Sequence, residues 1–167
     1  MNAFRRATLL IAVSTLWGAH VAGAQEPRTA ALDQARAAAW QRPDQAIRLL
    51  QRLRQREPLA ADARLLMAES LLRLNRLDEA EREARPLEES TPGRAEVQRL
   101  LGDLAARRQD WAGARQHYAR AVAVKPQDPD LNLRLGQVLQ HLGDALGADQ
   151  AFARYRALTA AQPALGR

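Results

Sequence analysis

The residues of this chain that could do covalent or metal chemistry are few and poorly spaced for it. His117 and His141 stand far apart, with no acid beside them at metal-ligand spacing. There is no cysteine, which excludes disulfides, thiolate chemistry, cysteine-ligated zinc and a lipid-bearing cysteine at a leader cleavage point. No Gly-x-Ser-x-Gly elbow, phosphate loop or His-Glu-x-x-His pair is present. Asp78 and Glu79 are adjacent carboxylates, but they fall where a helix start favours acids. What remains is arginine facing carboxylate. Of 25 basic residues only Lys125 is lysine, and 19 acids oppose them. Guanidinium and carboxylate groups recognise partners through charge-assisted hydrogen bonds. The expected chemistry is non-covalent binding, with no catalytic residue, cofactor or metal.

The elements that would position these groups are helical. Apolar residues make up 47% of the chain but aromatics only 4%, a balance of alanine and leucine that suits close-packed helices. Acids and bases alternate, as in Glu81-Arg82-Glu83, and form no block. That is the pattern of a mixed, solvated helix surface, and with no basic stripe interleaved with aromatics it argues against nucleic-acid binding. Residues 1–24 have the form of a secretory leader: Arg5-Arg6, an apolar core from Ala7 to Trp17, and Ala22-Gly23-Ala24 as the cleavage site. The expectation is export to the periplasm or beyond, cleavage near Ala24 and no stable membrane insertion afterwards. An uncleaved anchor is the alternative.

From there the chain repeats itself. Ala46, Ala80, Ala114 and Ala148 are 34 residues apart, and so are Pro58, Pro92 and Pro126. A period of this length marks a helical repeat array. Four units follow, 27–60, 61–94, 95–128 and 129–162, with a short tail at 163–167. Position 20 of each unit is alanine. Position 24 is Leu50, Ala84, Tyr118 and Phe152, and position 8 is Gln34, Ala68, Gly102 and Gly136. Positions 20, 24 and 27 share a helix face, so a small residue admits the partner backbone and a bulky one fills the space beside it. The spacing predicts helices over 29–41, 44–56, 60–74, 78–90, 94–108, 111–124, 128–142 and 145–160. Pro86 falls inside the fourth and either kinks or ends it.

These residues resemble the tetratricopeptide repeat, most closely in the third unit, with Leu101, Gly102, Ala114, Tyr118, Ala121 and Pro126. The first unit departs most, with Asp33-Gln34 in place of an apolar–small pair. The resemblance implies an all-α, right-handed superhelical solenoid of about four helix-turn-helix repeats. It also implies a concave groove lined by the first helix of each pair. On this chain the implied groove residues are Glu69, Arg73, Arg99, Asp103, Arg107, Gln137, Gln140 and His141, together with Leu65 and Leu72. The family's lysine–asparagine clamp for a C-terminal carboxylate is absent: Leu65, Arg99 and Leu133 stand at position 5, and Glu69, Asp103 and Gln137 at position 9.

The last helix carries Phe152, Tyr155 and Leu158 with no helix after it. These residues either pack inward on Leu135, Val138 and Leu139 or form an apolar end that docks a partner or a second copy. The resulting expectation is a non-enzymatic scaffold of the bacterial cell envelope, serving assembly, secretion or exopolysaccharide export. The alternative is a periplasmic chaperone or assembly factor that holds client proteins.

Overall fold

A computed structural model describes residues 29–56 and 58–161. The leader, its cleavage site and the 163–167 tail lie outside the described residues. These form eight helices: α1 (29–41), α2 (Pro43–Arg56), α3 (Ala61–Arg73), α4 (Leu77–Ser90), α5 (Ala95–Arg107), α6 (Trp111–Val124), α7 (Pro129–His141) and α8 (Ala145–Ala161). Each lies within two residues of its expected span. Among the described residues no helix is long and apolar enough to cross a membrane.

The chain divides into two compact units, Met1–Leu59 and Ala60–Arg167. In the first, the apolar face of α2 buries Ala46, Ile47, Leu50 and Leu53. Pro43 is its first residue, where a missing N–H costs nothing. The helix α1 buries Ala35 and Ala39, while Asp33 and Gln34 are exposed. Only Arg42 separates α1 from α2, against three residues between the helices of each later hairpin.

In the second unit α3/α4, α5/α6 and α7/α8 pair as hairpins, and α4 packs on α5, α6 on α7. The alanine ladder is buried: Ala80 and Ala114 are at 0% exposure and Ala148 at 4%. Bulky residues interlock with the small ones across each later hairpin. A Cβ on Gly102 would lie 2.7 Å from the Tyr118 ring, and one on Gly136 would lie 2.6 Å from the Phe152 ring.

The three turns inside the hairpins of this unit share one construction. Asn75 (φ 58°), Gln109 (φ 63°) and Gly143 (φ 77°) adopt the left-handed conformation. The next N–H in each case reaches back to the helix: Arg76 to the Leu71 carbonyl, Asp110 to Ala105 and Asp144 to Leu139, each at 2.9 Å. This is the Schellman closure, which satisfies carbonyls that a helix end would otherwise strand. Asp110 and Asp144 then cap the following helices, accepting from the Gly113 and Gly147 N–H groups.

Pro86 does not end α4, which continues through it to Ser90. The Thr91 N–H closes the last turn on the Leu87 carbonyl at 2.8 Å, and two hydroxyls add to it, Ser90 Oγ donating to the Pro86 carbonyl and Thr91 Oγ1 to that of Leu87. Buried amides stitch the hairpin junctions. Gln98 donates to the Pro92 carbonyl (2.8 Å), and Asn132 donates to that of Pro126 (3.1 Å). His117 completes the first junction, its Nδ1 2.9 Å from Gln98 Oε1. Burial, the largest influence, holds the His117 pKa below its ordinary value. One period on, Ala151 replaces the histidine, and Asn132 Oδ1 is buried without a hydrogen-bond partner among the described residues.

Candidate binding cleft

The groove positions sit on α3, α5 and α7, and the structure resolves them into a buried ionic hub and an open cleft. The hub is Asp103, 8% exposed on α5. Its Oδ1 accepts from Tyr118 Oη at 2.5 Å and from Arg134 Nη1 at 2.7 Å, and its Oδ2 accepts from Arg99 Nη1 at 3.0 Å. Arg99 also pairs with Glu69 on α3, and Arg134 Nε reaches Asp130 Oδ2 at 2.8 Å. One carboxylate therefore ties α3, α5, α6 and α7 together, and three donors offset the cost of its burial. Burial, reinforced by the Asp103 charge, pushes the Tyr118 hydroxyl pKa up. Burial opposes the charge on Arg134, but Asp103 and Asp130 outweigh it and raise that pKa. Glu69, Arg99 and Asp103 thus spend their charge on one another and on Arg134.

The cleft lies between α5, α6 and α7 and encloses about 340 Å³. Five of the eight sequence-derived groove residues line it: Asp103, Arg107, Gln137, Gln140 and His141. Glu69, Arg73 and Arg99 do not, and Leu65 and Leu72 are buried, at 7% and 8% exposure. The Trp111 ring stacks on the His141 imidazole, with centroids 4.0 Å apart and planes within 5°. Trp111 also packs against the Ala114–Tyr118–Val138 cluster, so it acts as a packing residue that forms one wall. Arg107 donates to Asn75 Oδ1 at 3.3 Å and makes no ion pair among the described residues. Of the two arginines in the lining, Arg134 is taken up by Asp103 and Asp130, which leaves Arg107 as the lining cation without an ion pair among the described residues. Trp111 and Arg134, both in the lining, were outside the expected groove set. A cation six places into unit four, opposite the acid nine places into unit three, was the available signal for Arg134. Among the described residues no His, Asp and Glu cluster could hold a metal ion.

Phe152 is half-buried and packs with Leu135 against Leu139, Ala148 and Ala151. Tyr155 and Leu158 are half-buried on the same helix.

Two family models described as tetratricopeptide repeat match the chain, over residues 37–104 and 95–138. No curated protein sequence matches it. Among solved structures, MamA 41-end from Desulfovibrio magneticus RS-1 superposes with a TM-score of 0.70 at 17% identity, over 79% of this chain and 75% of that one. TTC0263, a thermophilic TPR protein of Thermus thermophilus, gives a TM-score of 0.68 at 21% identity, over 78% and 73%. A MamA RS-1 double mutant gives 0.71 at 19%, over 89% and 82%. At these identities the likeness is one of fold.

Proposed function

The chain belongs to the tetratricopeptide repeat family, and from that premise we propose that it is a non-enzymatic scaffold of the cell envelope that grips a segment of a partner protein in the α5–α6–α7 cleft. One observation carries the reading. The hub satisfies its own charges, whereas the adjoining cleft keeps Arg107 outside any ion pair and exposes Gln137, Gln140 and His141 beside it. Those groups suit a polar, carboxylate-bearing segment held by hydrogen bonds. A holdase for unfolded clients calls for an apolar surface, whereas half of this cleft's lining residues carry a charge or an amide and His141 and Tyr118 add further polar groups. The envelope setting rests on the leader-like residues 1–24.

Cross-linked capture from the envelope fraction tests it, comparing the natural chain with an Arg107→Glu/Gln137→Glu/Gln140→Glu variant. All three side chains are exposed, so the fold is retained and partner capture is lost. Recovery of the same partners in the same amounts refutes the assignment of the cleft.

A further inference from the structure

The outer face of α8 carries an exposed acid and an exposed arginine two turns apart. At the junction of the second and third repeats, Glu81 and Asp78 on α4 receive Arg108 from the following hairpin, at 2.5 and 2.7 Å. Asp149 stands two 34-residue periods beyond Glu81, at the same place in its repeat. It is exposed and makes no ion pair or side-chain hydrogen bond among the described residues. Arg156 lies seven residues further on, also exposed and unpaired among the described residues. Seven residues are two helical turns, so both charges share a face about 10 Å apart. Between them sit Phe152, half-buried, and Ala153, exposed. Leu146, one turn before Asp149, is 71% exposed.

We infer that this face is an isologous interface, on which α8 of a second copy of this chain packs antiparallel about a two-fold axis between Phe152 and Ala153. That axis places Asp149 of each copy opposite Arg156 of the other. The two unpaired charges then neutralise each other twice, as a two-fold interface requires. The small side chain of Ala153 leaves room for the exposed edge of the half-buried Phe152 ring across the axis. The surface is separate from the cleft, so the two readings can fail independently.

Sedimentation velocity of the full chain over a concentration series gives the test. The natural chain forms a dimer. Asp149→Arg alone sets an introduced arginine against Arg156 at both contacts, and Arg156→Asp alone sets two acids together, so each weakens the dimer about tenfold or more. Mixing the two single variants restores dimer, because each supplies the charge the other lacks, and so does the double exchange Asp149→Arg/Arg156→Asp in one chain. Circular dichroism checks that every variant keeps its helices. A natural chain that stays monomeric overturns the inference. So does a dimer that the single changes leave intact, or one that mixing and double exchange fail to rescue.

Discussion

Replacing Gly102 with alanine tests how tightly the third hairpin is set. A Cβ there would meet Tyr118 Cδ1 and Cε1 at 2.7 Å, about 1 Å inside ordinary carbon contact. The ring must retreat by that much, but it is 2% exposed and its hydroxyl is held by Asp103 at 2.5 Å. A retreat of about 1 Å carries that hydrogen bond to the limit of its range. Overpacking of this kind costs about 1–3 kcal/mol, and the helix propensity of alanine returns about 1 kcal/mol. The net loss is up to about 2 kcal/mol, or up to roughly 8 °C in Tm for a chain of this size. Gly136 provides the control. Its added Cβ would lie equally close to Phe152, but that ring is half-buried and has no hydroxyl to hold it. It swings aside, and Gly136→Ala changes stability by less than about 0.5 kcal/mol, because propensity and crowding cancel. Thermal and urea unfolding followed by circular dichroism reads both. In a Tyr118→Phe background the Gly102→Ala penalty shrinks by at least about 0.5 kcal/mol, since the tether is gone. If the two alanines cost the same, or Tyr118→Phe leaves the penalty unchanged, the pinned-ring account is wrong.

Two further outcomes concern the surface. Lys125, through its hydrogen bond to Glu96, and the Glu96 N–H hold the Glu96 carboxyl at about 2, below its ordinary 4.5. A lowered folded-state pKa stabilises fully above the unfolded value and loses that stabilisation as pH falls toward about 2. Urea midpoints for Lys125→Met should therefore fall less steeply on acidification than those of the natural chain, and parallel slopes would refute the pairing. Gln109 holds a left-handed φ of 63° that Gly143 occupies one period later, so Gln109→Gly should raise the melting temperature, by up to about 1 kcal/mol in stability. A fall would show that the turn carries no strain.

The helices were legible because their cause is local and periodic. Ala46, Ala80, Ala114 and Ala148 recur where two backbones touch, and Pro43 marks a helix start without reference to anything distant. Pro86 was not legible in the same way. A proline forbids one hydrogen bond but does not say whether the helix resumes beyond it, and here α4 runs on to Ser90 with the Thr91 N–H closing on the Leu87 carbonyl at 2.8 Å. The groove was half legible. Repeat position placed Arg107, Gln137, Gln140 and His141 on one wall, but not the partners of Arg99 or Asp103. Two of those pairs, Arg99 with Glu69 and Arg134 with Asp103, span 30 and 31 residues and depend on which rotamer each arginine takes across a helix junction. Leu65 and Leu72 show the same limit: position assigned them to the groove, and apolar side chains went to the core.

The ion pairs that cross between hairpins also bear on how such a chain can be rearranged in evolution. Excising residues 95–128 removes one whole period and would join α4 to α7 in phase. Arg134 would then find Glu69 where it now has Asp103, an acid for an acid. Asp78 and Glu81, however, would confront Leu142 instead of Arg108. The third module could therefore leave without breaking the phase of its neighbours, while the charges at its edges name the neighbour it belongs beside.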